Sequence, residues 1–143
     1  MAGGSIEDRL AISDLFVRYV GALDAGDVAT VVDCFTPDAT LESPVIGRIA
    51  GSAAIRAFAE RFAAQRAAGT QFRHMVTNIA AEIGREGERA RATAYLLVLI
   101  TQDGKSRRLP PGRYECEAVK EKGAWRFSRR AVFHDHAYTL DGI

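Results

Sequence analysis

The stretch QFRHMVTNIAAEIGREGERARATAYLLVLITQ, residues 71–102, decides the architecture. It holds two long runs rich in Val, Ile, Thr, Tyr and Phe, Gln71–Ile83 and Glu88–Gln102, separated by glycines 84 and 87. Runs of this composition bounded by glycine read as paired strands. Two more follow, Gly112–Lys120 and Trp125–His136, with Asp103-Gly104 and Gly123 supplying turns. The residues after Gly69 therefore predict a long antiparallel meander.

Before Gly69 the period changes to that of a helix. Ile12, Leu15, Phe16, Tyr19, Val20 and Leu23 recur as one apolar stripe, with Ser5 as cap, Asp8 at the capping-box position and Ala25-Gly26 as the break. Asp27 caps a short second helix through Phe35, closed by Pro37, and Ala39–Glu42 reads as a short strand. Gly51-Ser52 opens a third helix with Ile55, Phe58 and Phe62 as its buried line. Three helices beside a twisted sheet give an α+β class. The expected shape is a cone: a curved antiparallel sheet wrapped on the helices around a central pocket.

The 143 residues suit a single domain, 1–143, with its core at about 6–133. A net charge of +1, with acids and bases interleaved as in Lys120-Glu121-Lys122, argues against nucleic-acid and anionic-membrane partners. The apolar run Ala94–Ile100 is too short to cross a bilayer, and the first residues lack a signal-peptide pattern, so a cytoplasmic location is expected. Cys34 and Cys116 have no metal-type spacing; a disulfide between them lacks support, and two free thiols is the plainer reading.

On an alternating strand, Phe72, His74, Val76 and Asn78 share one face, and Arg73, Met75, Thr77 and Ile79 the other. A His and an Asn among Phe and Val suit a pocket wall, though a structural or solvent-facing histidine fits the same pattern. Asp24 lies on the flank of the helical stripe, near a C-terminus where its charge opposes the helix dipole. Spacing alone equally allows a solvated carboxylate there. Tyr19 fits core packing or phenol donation, and of Arg129-Arg130 alternation sends only one inward. His134-Asp135-His136 could place two imidazoles on one strand face, as some metal sites do. No third ligand accompanies it at a recognisable spacing, so a solvated or interface segment is the expectation and no metal is assigned.

Three stretches carry a family resemblance: Arg18–Asp27 (RYVGALDAGD), Phe72–Asn78 (FRHMVTN) and Gly123–Arg130 (GAWRFSRR). With the order of elements, they resemble the SnoaL-like branch of the nuclear transport factor 2-like superfamily, over roughly Ile6–Phe133. Within it the chain is most similar to the scytalone dehydratase, hexachlorocyclohexane dehydrochlorinase and bile-acid dehydratase group. The resemblance implies an Asp–His pair at Asp24 and His74, the imidazole as base and the carboxylate orienting it. It also implies an arginine at Arg130. Tyr19 stands where the dehydrochlorinase has a lysine, which is closer to the dehydratases.

The expected function is thus a cofactor-free lyase or isomerase, dehydratase-like, acting on a small hydrophobic, cyclic molecule. Asp24 and His74 would be catalytic, and Tyr19, Arg130, Asn78, Phe72 and Val76 would contact substrate. The alternatives are a SnoaL-like polyketide cyclase and a non-catalytic assembly domain like the small subunits of ring-hydroxylating dioxygenases. Met75, Thr77 and Ile79, with apolar residues from Tyr95 to Ile100, would form an outward patch, so a homodimer or higher homo-oligomer is expected.

Overall fold

The structure is a computed structural model describing residues 3–140; the outermost residues of the 1–143 domain, 1–2 and 141–143, lie outside the described residues. Helix α1, Ile6–Ala25, starts at Ser5, whose hydroxyl accepts from the Asp8 N–H while the Asp8 carboxylate accepts from the Ser5 N–H. It ends at Gly26, where φ is 74°. That left-handed turn suits glycine and lets its N–H close back on the last turn. The expected stripe, Ile12 to Leu23, is buried.

Asp27 caps α2, Val28–Asp33, through the Thr30 N–H. This helix stops before Phe35, which instead opens strand β1, Phe35–Ser43. Pro37 therefore lies inside a strand and does not end the helix. Its missing N–H is tolerated because the register of β1 shifts between Phe35 and Thr40. Strand β2, Gly47–Ala50, pairs with β1, and α3, Ser52–Ala67, follows. Then come β3, Gln71–Ile83; β4, Arg89–Gln102; β5, Lys105–Arg108; β6, Gly112–Glu121; and β7, Ala124–His134.

The seven strands form one curved, unclosed sheet in the order β2-β1-β7-β6-β4-β3, with β5 hairpinned on β4. One pair departs from the expected antiparallel arrangement: β1 runs parallel to β7. A parallel pair needs a long crossover, and the chain from α3 through β6 supplies it.

The inner face packs on α1 through an aromatic cluster. Tyr19 meets Phe35 edge-on at 5.4 Å, and Phe16 meets Phe127 at 5.1 Å.

Two bulges set which side chains reach the interior. In β3 the register shifts between Thr77 and Ala80, and Asn78 has φ of 55°. Phe72 is buried and His74 and Val76 half-buried before the shift; Ile79, Ala81 and Ile83 turn inward after it. Ile79 consequently packs against the core and does not join the outward set with Met75 and Thr77. In β7 the register shifts between Phe127 and Arg129. Trp125 and Phe127 are buried before the shift, Arg130 and Val132 after it.

Candidate functional site

The last turns of α1 carry Asp24 to the start of β3. Gln71 fastens the junction by donating its amide N–H to the Asp24 carbonyl at 3.1 Å and to the Phe72 carbonyl at 2.7 Å. The Asp24 carboxylate then meets His74 twice. Its Oδ2 accepts the His74 backbone N–H at 2.8 Å, and Oδ1 lies 2.5 Å from the ring Nδ1. A carboxylate only accepts, so Nδ1 carries a proton, and in the neutral imidazole the lone pair is on Nε2. The two side chains are 13% and 7% exposed, so solvent barely competes for the bond. Phe62 and Phe72 flank the imidazole, with ring centroids 5.8 and 6.2 Å away.

The His74 ring lines a cavity of about 110 Å³. Leu23, Phe58, Phe62, Phe72 and Val98 make its walls apolar, while Tyr19, Arg130, His134 and Tyr138 supply polar groups. Such a mixture, mostly apolar with a few fixed polar groups, typifies small-molecule sites. The Arg130 guanidinium lies over the rings of Tyr114, Tyr19 and Phe58, at 5.0, 5.3 and 5.9 Å. Burial pushes the Tyr19 phenol up to about 12, against the pull of Arg130, so the hydroxyl remains protonated as a donor.

Of the residues expected from sequence, Tyr19, Phe72, His74 and Arg130 line this cavity, with Asp24 behind His74. Val76 packs against the core away from the lining, and Asn78 is exposed at the bulge, outside the pocket. Arg129 turns outward to pair with Glu42 at 2.8 Å. The two tail histidines part company. His136 is exposed, whereas His134 lines the cavity and donates from Nδ1 to the Pro110 carbonyl at 2.9 Å. Its Nε2 accepts from the Tyr138 hydroxyl at 3.3 Å. His134, Tyr138 and Tyr114 were not among the expected site residues. The tail beyond β7 turns back over the pocket, a tertiary event with no local signal.

Among the described residues no group of three or more His, Cys, Asp and Glu could hold a metal ion. No helix among them is long and apolar enough to cross a membrane. Cys34 and Cys116 are free and buried. Burial pushes their thiols up to about 11 and about 12, far from the thiolate a nucleophile needs.

Comparison with solved structures identifies several similar proteins. A nuclear-transport-factor-2-like protein with a cystatin-like fold from Novosphingobium aromaticivorans shares the fold at 23% identity. It has a TM-score of 0.79, covering 96% of this chain and 85% of that one. A protein from the same organism, provisionally named an aromatic ring hydroxylase, is 31% identical with a TM-score of 0.77, covering 94% of each chain. A Catenulispora acidiphila protein solved in complex with S-DNPA is 27% identical with a TM-score of 0.76, covering 88% of this chain and 92% of that one. A sequence search among curated proteins finds no significant match. The family model of the SnoaL-like domain matches residues 4–131, nearly the whole chain, and the protein therefore belongs to the SnoaL-like domain family.

Proposed function

We propose that the chain is a cofactor-independent lyase or isomerase, dehydratase-like, that acts on a small hydrophobic, cyclic substrate through Asp24 and His74. The observation that carries this reading is the buried Asp24–His74 bond, whose imidazole lines an apolar cavity. With Nδ1–H committed to the carboxylate, Nε2 is the nitrogen left to act as the base. It takes a proton from a substrate C–H, and the electron pair left behind forms the double bond as the neighbouring group departs. Asp24 stabilises the imidazolium that forms, and the imidazolium returns its proton to the departing hydroxide as water. Tyr19 donates to the leaving oxygen, and Arg130 offsets the negative charge that builds there.

The membership in a family that includes polyketide cyclases supports a second reading. There the same base generates a carbanion that attacks a carbonyl within the substrate and closes a ring. The relative solved in complex with S-DNPA supports a ligand-binding role for the fold.

The test screens cyclic β-hydroxy carbonyl compounds and open polyketide mimics for turnover, then compares His74→Ala with the unmodified protein. Turnover should fall at least about a hundredfold with the thermal melt nearly unchanged. A well-folded His74→Ala protein with full activity would end the Asp24–His74 mechanism, and no turnover of any of these compounds by the unmodified protein would leave the assembly-domain alternative as the better one.

A further inference from the structure

Arg130 is 4% exposed, lines the pocket, and makes no ion pair among the described residues. Its neighbours along β7 show the contrast. Arg126 pairs with Asp33 and Arg129 with Glu42, each near the surface where a counter-charge matters less. The buried arginine has none. Asp24, the carboxylate behind His74, has both oxygens committed to His74. Arg130 Nε and the Tyr19 hydroxyl are both buried without a hydrogen-bond partner, and both residues line the same cavity.

A buried charge is costly unless paired, and a buried donor without an acceptor adds to the cost. Three aromatic faces around the guanidinium offset part of this, but a ring face accepts no directed N–H bond at Nε. One cation and two unmet donors in a largely apolar wall describe a receptor lacking its anion. We infer that the pocket takes a ring compound bearing one permanent carboxylate, held by the Arg130 guanidinium with the Tyr19 hydroxyl.

The class follows from the chemistry of the wall. A planar guanidinium matches the two oxygens of a carboxylate, and a single cation balances a single charge. A phosphate dianion would need further donors. Most of the rest of the lining, Leu23, Phe58, Phe62, Phe72 and Val98 among it, is apolar, with His134 and Tyr138 as further polar groups, so the body of the ligand is mainly hydrocarbon. Phe62 and Phe72 stand beside the His74 ring, so that body lies along the imidazole while the acid end is anchored on β7. This inference rests on the pocket half of the proposed function: it assigns Arg130 and Tyr19 to a carboxylate of the substrate in place of the leaving oxygen and leaves the Asp24–His74 base as proposed.

Calorimetric titration of the whole chain near neutral pH tests it with benzoate against benzamide, and 1-naphthoate against 1-naphthamide. Each carboxylate should bind about tenfold to a hundredfold tighter than its amide. His74→Ala should keep that preference, Arg130→Met should erase it, and Tyr19→Phe should reduce it. Without ligand, Arg130→Met should melt at a higher temperature, because an unpaired buried charge has gone. Amides binding as well as the acids, carboxylates failing to bind up to millimolar concentration, or a lower melt for ligand-free Arg130→Met would each overturn the inference. Loss of turnover in His74→Ala without any carboxylate preference would sink this inference and spare the acid–base proposal. The reverse pattern would spare the anion site alone.

Discussion

Asp24 grips His74 at two points, the ring Nδ1 through Oδ1 and the backbone N–H through Oδ2, so one carboxylate fixes both the tautomer and the strand that carries it. Substitutions at Asp24 can separate the two contacts. In Asp24→Asn the amide oxygen still accepts from the backbone, while the amide N–H₂ faces the ring and forces the proton onto Nε2. Turnover should fall about 10²–10⁴-fold with the melt almost unmoved. Asp24→Ala also leaves the His74 N–H unpaired and should cost about 1–3 kcal/mol of stability. Kinetics beside denaturant melts of both variants check this; equal destabilisation by the two would contradict it.

Asn78 occupies the β3 bulge with φ of 55°, a left-handed conformation that Asn and Gly adopt readily and β-branched residues do not. Asn78→Gly should change stability by no more than about 0.5 kcal/mol, and Asn78→Val should lose about 1–3 kcal/mol. Both should keep ligand binding, since the side chain is exposed and outside the pocket. A marked loss of binding in a stable Asn78→Gly protein would assign the side chain a role at the site.

These bulges mark the limit of what the sequence discloses. The α1 stripe, its capping box and the long strands were legible because a period of 3.6 or 2 persists over many residues. A single extra residue reverses the parity of everything after it. Strict alternation from Trp125 and Phe127 sends Arg129 inward, yet the β7 shift puts Arg130 in the pocket and Arg129 on Glu42. The same effect excluded Asn78 and drew Ile79 into the core. Strand β5, Lys105–Arg108, carries four exposed polar residues and therefore no alternation to read. The meeting of Asp24 with His74 came from resemblance, because nothing local to either residue encodes a contact across fifty positions.

The outer sheet face leaves Tyr95 60% exposed, Met75 43% and Phe133 36%, the last under the Arg113 guanidinium at 4.6 Å. Exposed aromatic and methionine side chains of this kind characterise shared surfaces, and we expect a dimer or larger homo-oligomer. Sedimentation velocity should show it at micromolar concentration, and Tyr95→Lys should move the population toward monomer with an unchanged melt. A monomer at every concentration tested would remove the expectation.

Asp8 ties the first turn of α1 to the far end of the sheet. Its carboxylate accepts from the Trp125 indole N–H at 2.9 Å, from Lys120 at 3.0 Å, and from Ser5. Those bonds, Trp125 first, hold its acid well below the ordinary carboxylate range. A carboxyl whose folded pKa is depressed contributes stability at all pH above its unfolded value, near 4, and loses that contribution as pH falls toward the folded value. The melting temperature should therefore drop on acidification below about pH 4. Asp27 and Asp33, lowered by Thr30 and Arg18 respectively, add to the same fall, so the unmodified protein alone does not isolate Asp8. Asp8→Asn does. Its amide oxygen still accepts from Trp125 but cannot pair with the Lys120 charge. The variant should melt lower than the parent at neutral pH and approach it as the solution becomes acidic. Trp125 is the only tryptophan and reports directly on this contact, so its fluorescence should track the difference. Parallel melting curves for the two proteins from pH 7 to pH 2 would show that the charge on Asp8 contributes nothing to holding α1 on the sheet.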